Sequence, residues 1–181
     1  MADRMTRMML VVLGLLCLSA CAAAPGCDEK QVPWPEGKAL VTLDGREFAL
    51  EIAADDATRT KGLAMRESID PDGGMIFVFP DAQLRRFVMR DCLTDIDVIF
   101  LDAAGNITAM HHMPMEPPRG EGEGEVGDYL NLPYHRRLPT YSSRFNSQFV
   151  IELAGGTLET LDLSRGDHVD IDPDRLKSYL R

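Results

Sequence analysis

The sequence predicts a mainly β fold, α+β only in carrying one or two short helices, built as a compact antiparallel β sandwich or barrel. Three observations predict it. Apolar runs are short, turn signals rich in Asp, Gly and Pro recur between them, and little of the chain holds a helical period. Short strands punctuated in this way are the pattern of sandwiches and barrels.

In chain order, residues 38–43 and 46–52 flank Asp44-Gly45, a two-residue hairpin signal. Asp55 or Asp56 can cap a short helix running to Leu63, with Thr58, Arg59 and Lys61 exposed. Pro71-Asp72-Gly73-Gly74 is a turn leading into a buried strand, 75–79, which Pro80 is expected to stop. Residues 86–89 and 97–101 are further strands, and 102–106 closes a hairpin onto 107–113. Residues 114–147 then break every periodicity, with five prolines and a Gly/Glu alternation from Gly120 to Glu125. A stretch this long without regular structure is expected to be a functional loop or a disordered insertion. Order resumes with a strand at 149–153, a turn at Gly155-Gly156, a short helix near 157–161 and a strand at 168–171. The β domain is thus expected over 38–172, with a terminal helix in the 173–181 tail.

The N-terminus has a different character. Arg4 and Arg7 precede an apolar run from Met8 to Leu18, and Leu18-Ser19-Ala20-Cys21 follows. A positive start, a short apolar core and small residues before a cleavage point predict a signal peptide over residues 1–20. The last four residues resemble the bacterial lipobox. That resemblance implies lipidation of Cys21, a tether over 21–37 and a membrane-anchored lipoprotein of the cell envelope. Ala22 rather than Asp after the cysteine resembles sorting to an outer membrane facing the periplasm. An uncleaved anchor is the alternative, although the apolar stretch falls short of the ~20 residues needed to span a bilayer.

The chain of 181 residues carries a formal net charge of −10. An acidic body repels phosphate backbones, so no nucleic-acid partner is expected. Of four cysteines, Cys17 leaves with the signal and Cys21 is acylated. Cys27 and Cys92 then form a disulfide or stay as two thiols, Cys92 packing as a small hydrophobe.

Several blocks resemble one family. Arg59-Thr-Lys-Gly62-Leu63-Ala-Met65-Arg66-Glu67-Ser68, then Gly74-Met75-Ile76-Phe77-Val78-Phe79, then Arg86-Phe87-Val88-Met89-Arg90, and Ile96-Asp97-Val98-Ile99-Phe100-Leu101-Asp102 follow in order. Phe149–Gly156 and Arg165-Gly166-Asp167 close the set. Together they resemble the family catalogued as domain of unknown function 192, over about residues 40–171. Val88, Arg90, Asp91 and Cys92 stand where that family usually carries Trp, Lys, Asn and Thr. The resemblance implies a small, mostly β domain, often exported, and brings no activity with it.

The charged motif residues Arg66, Arg86, Arg90, Asp91, Asp97 and Asp102, with Met89, are the candidate binding positions. Asp97 starts an apolar strand, where a carboxylate needs an arginine or several N–H donors. It either grips a ligand or acts as an acid/base, or it ties its own turn to an arginine such as Arg66. His111 and His112 are the weak candidates for a metal, but adjacent strand residues point to opposite faces. Cys92 with a histidine is a conceivable nucleophile, and Met65 and Met75 are expected in the core. No cofactor is predicted. The composite expectation is a non-enzymatic envelope module binding a small molecule, peptide or envelope protein beside the 114–147 loop. Its alternative is a hydrolase or isomerase working through Asp97 with Arg66 or Arg90.

Overall fold

A computed structural model describes residues 33–128 and 130–181. The signal segment, Cys21 and Cys27 lie outside the described residues, as does Tyr129. Six strands form one sheet: β1 (Lys38–Leu43), β2 (Arg46–Ala53), β3 (Gly73–Phe87), β4 (Ile96–Leu101), β5 (Ile107–Met113) and β6 (Tyr141–Ala154). Two short α-helices lie between strands, α1 (Asp56–Lys61) and α2 (Leu132–Arg137), and a third, α3 (Pro173–Lys177), follows the last strand. The domain is therefore mainly β with minor helix. No helix among the described residues is long and apolar enough to cross a membrane.

The spatial order is β1-β2-β3-β6-β4-β5. The β1–β2 hairpin turns at Asp44 and Gly45, both at positive φ, 46° and 75°, as an Asp-Gly turn of the primed type requires. Neighbours are antiparallel except β2 and β3, which run parallel. That pair is parallel because the chain from Ala54 to Asp72, carrying α1, crosses over before re-entering the sheet. Asp55 caps α1 by accepting from the Thr58 N–H at 2.9 Å.

Pro80 does not end its strand. β3 continues to Phe87, and its register against β6 shifts between Val78 and Gln83. Proline has no N–H for the ladder and is tolerated at such a bulge. Side chains satisfy the carbonyls released there: Arg59 Nη1 donates to Val78 O at 2.9 Å and Gln148 Nε2 to Phe79 O at 3.1 Å. The irregular stretch is also shorter than expected. Residues 141–147 belong to β6, pairing Tyr141 with Phe87 and Ser147 with Gln83. The expected strand at 168–171 reduces to one bridge, Asn106 to His168.

Strand alternation sends apolar side chains to both faces. One face gathers Phe48, Leu50, Ile76, Ile99, Phe149 and Ile151 under Trp34, Leu158 and Leu176 of α3. The other gathers Phe77, Val98, Phe100 and Val150 under Leu63 and Met89. A central strand covered on both faces must be apolar at nearly every position. β6 obeys from Phe149 to Leu153 with one exception, Glu152.

Candidate functional site

The second face opens into a cleft of about 310 Å³ between α1, the Gly62–Ala64 turn and the far half of β3. The bulge at Pro80 carries β3 on to Phe87, whose ring meets Phe77 edge-on at 5.1 Å and Phe100 at 5.4 Å. Gly62, at φ 52°, brings the backbone so close that a Cβ there would lie 3.3 Å from the Phe77 ring and 3.4 Å from Glu152 Oε2. The chain can turn over the cleft only because this residue has no side chain.

Glu152 is the cleft's central polar group. It stands between Met75 of β3 and Val98 of β4 in the sheet and is 6% exposed. The Leu63 N–H donates to its carboxyl group. Its Oε2 has no hydrogen-bond partner, alone in this respect among buried side-chain atoms of the described residues. Burial pushes its pKa up to about 8, against the weaker opposing pulls of the Leu63 N–H and Arg66. A carboxyl group so placed is protonated at neutral pH and can donate a hydrogen bond, or move a proton. Basic side chains line the same cleft: Arg59, which pairs with Asp56 at 2.6 Å, and Lys61, Arg86 and Arg90. In a chain of net charge −10, such a concentration of basic side chains would attract an anionic group.

Of the positions singled out in the sequence, Arg86, Arg90 and Cys92 come together here. The half-buried Cys92 carries a free thiol, and burial pushes it up to about 12. Such a thiol holds little thiolate and is a poor nucleophile. Met89, Met75 and Phe77 pack beneath the cleft as core. Arg66 is committed nearby to a two-pronged pair with Glu51, both contacts at 2.6 Å.

Asp97 is not in the cleft. It is fully buried; Oδ1 meets His112 Nδ1 at 2.7 Å and Oδ2 accepts from the Leu158 N–H at 2.7 Å. The structure thus corrects the catalytic reading of Asp97 with Arg66 or Arg90: its oxygens are spent on binding the β5 end to the 158–160 turn. The hydrogen bond from His112 to Asp97 raises the His112 pKa. His111 turns the other way, its Nε2 2.8 Å from Ser142 O. No group of three or more metal-ligating side chains occurs among the described residues. Asp102 is likewise a turn residue, accepting from the N–H groups of Ala104 at 2.8 Å and Asn106 at 2.9 Å. Burial opposes its ionisation, but these bonds and the Asn106 side chain hold its carboxyl below the usual range.

Asp91 fastens the 114–140 segment to the body. Arg119 grips both of its oxygens, at 2.7 and 2.9 Å, with side chains only 7% and 4% exposed. The Asp91 N–H donates to the Tyr134 hydroxyl at 3.0 Å, and Arg119 stacks 4.0 Å over the Tyr134 ring. Asn131 caps α2, which presents this tyrosine, by accepting from the Tyr134 N–H at 3.0 Å. Asn131→Ala is expected to lower stability by about 1 kcal/mol, measured by urea denaturation. Beyond the clamp, Met65, Leu93, Met115 and Val126 line a second groove of about 280 Å³.

The model of the family described as Uncharacterized ACR, domain of unknown function 192 (DUF192), matches residues 39–171. The crystal structure of a candidate transcription regulator from Sinorhizobium meliloti 1021 is similar, with 27% identity, a TM-score of 0.55, and 72% of this chain and 88% of that one covered. A protein of unknown function from Novosphingobium aromaticivorans DSM 12444 shares the fold at 20% identity and a TM-score of 0.56, covering 74% and 85%. No curated protein matches the chain.

Proposed function

The chain belongs to the domain of unknown function 192 family, and from that premise we propose that it is an exported, lipid-anchored binding protein of the cell envelope. Its ligand site is the Glu152 cleft, and it performs no catalysis there. The observation that carries this reading is the buried, unpartnered Glu152 Oε2 in a concave wall lined with aromatic rings and cations. Few convergent polar groups over an apolar floor are what small-ligand sites are made of. The export half rests on Arg4, Arg7, the apolar run and the Leu18-Ser19-Ala20-Cys21 ending. Acylation would fix the protein to a membrane, the outer one if the host has two, because several acyl chains bind almost permanently at ~0.8 kcal/mol per methylene.

The description of the Sinorhizobium relative would bring in nucleic acid as a partner. The acidic net charge opposes that for this chain. An enzyme of the envelope is the second reading, and one observation favours it: a carboxyl group with a raised pKa in a cleft is a common acid/base device. Glu152 would then take the part that Asp97 cannot.

Two measurements test the proposal. Radiolabelled palmitate is expected to enter the native chain and to be lost completely in Cys21→Ser; unchanged labelling would remove the anchor. The native lipoprotein, recovered from its own envelope, is expected to bring a small molecule with it, detected by mass spectrometry and lost from Val88→Trp, whose ring would fill the cleft that Val88 lines. Recovery of a turned-over product instead would favour the enzyme.

A further inference from the structure

Resting on the binding reading above, we infer that the Glu152 cleft selects small organic anions: a carboxylate on an apolar body, one oxygen of which receives a hydrogen bond from the Glu152 carboxyl. Three features converge on this class. Glu152 Oε2 is buried, lacks any partner among the described residues, and lies beside Gly62 on the cleft wall. Above it Lys61 and Arg86 are exposed at the cleft rim, where an entering anion meets them. Below, the crossed rings of Phe77 and Phe87 offer apolar area and no hydrogen bonds.

Each part excludes a class of ligand. A neutral molecule would leave the rim cations unanswered, and sites built on polar complementarity reject analogues lacking the matching group. Inorganic phosphate would leave the rings uncovered and bring a second negative charge against a carboxyl group that resists ionisation. A carboxylate satisfies all three, because an O–H···O⁻ bond is short and charge-assisted. The cleft volume of about 310 Å³ matches the small end of ligand pockets.

The proton makes the class testable. Burial, countered in part by Arg66, raises Glu152 to about 8, so the donor exists at neutral pH and disappears above it. The neighbouring strands face it with apolar Met75 and Val98. The charged or titratable groups around it are Arg66, Cys92 and the cleft residues Asp56, Arg59, Lys61, Arg86 and Arg90. Burial pushes the Cys92 thiol up to about 12, above the range to be tested.

The experiment is calorimetric titration of the full chain in non-ionic detergent with 3-phenylpropionate, 3-phenylpropionamide and inorganic phosphate, at about pH 6 and about pH 9. Phenylpropionate is expected to bind about tenfold more tightly at the lower pH, following one unit of titration above the Glu152 value. The amide and phosphate are expected to bind at least tenfold more weakly than it does. Glu152→Gln keeps an N–H donor in the same place, so it should bind phenylpropionate equally at both pH values. Arg86→Met should weaken binding at both. Equal wild-type affinity at the two pH values overturns the inference, as does pH dependence that persists in Glu152→Gln. Amide binding as tight as acid binding overturns the anion selection while leaving the cleft a ligand site. Failure of every probe to bind overturns it too; the native ligand recovered from the envelope then decides separately whether the cleft binds at all.

Discussion

Glu152→Gln is expected to stabilise the domain at pH 8 and to leave it nearly unchanged at pH 5. The folded state holds the Glu152 proton up to about pH 8, whereas an ordinary glutamate loses it near 4.5. Between those values the native state binds more protons than the unfolded one, so stability falls as pH rises. The slope approaches about 1.4 kcal/mol per pH unit, large beside a total of roughly 5–15 kcal/mol. Glutamine has nearly the same shape and never ionises, so the variant lacks this slope. What slope remains above pH 6.5 belongs to His112, whose raised pKa makes its bond to Asp97 a contribution lost on deprotonation. Urea denaturation of both proteins from about pH 5 to about pH 8 measures the difference. Parallel profiles would mean that Glu152 ionises freely, and the account of the cleft would fall with it.

Arg119→Ala is expected to cost about 3 kcal/mol, because it strands the Asp91 carboxylate in a nearly closed site. The weaker Gly127 N–H, at 3.3 Å, and the Tyr134 hydroxyl would be left to that carboxylate. Burial alone would raise the Asp91 pKa, but Arg119 and Gly127 overcome it and hold the carboxyl below its usual range. The contribution of the clamp is therefore present above about pH 4 and is lost on acidification through the lowered value. Arg119→Lys, which keeps a charge but not the planar fork, should recover part of the loss. Hydrogen exchange should show faster opening of residues 114–140 in Arg119→Ala, with β3 and β6 unaffected. Loss of protection across the whole sheet would instead make the clamp a global element of the fold.

Much of the fold was legible from local chemistry. Asp44-Gly45 specified its hairpin because both residues tolerate positive φ, and Asp55 with Thr58 specified the start of α1. Pro80 misled, since proline normally ends a strand; three hydrogen bonds from Arg59 Nη1 and Gln148 Nε2 supply what the ladder loses. The 114–140 segment looked shapeless because its order comes from a distant partner, Asp91, rather than from periodicity. At the site, Arg86, Arg90 and Cys92 were recognisable and Glu152 was overlooked. Its signal was present: an acid inside the apolar run from Phe149 to Leu153 cannot reach water from a strand covered on both faces. The same reasoning singled out Asp97, but whether a buried acid has partners depends on the fold. Asp97 has His112 and Leu158, and Glu152 keeps one oxygen without any.

The position of β6 has a consequence for how the chain is made. It is the last strand synthesised, yet it lies between β3 and β4. Until residues 141–154 have emerged, β1-β2-β3 and β4-β5 are two ribbons with open edges and nothing to join them. The β4-β5 hairpin is marginal by itself, and β3 keeps open the edge that β6 will pair. Completion of the sheet waits for β6 and then proceeds around a single late insertion.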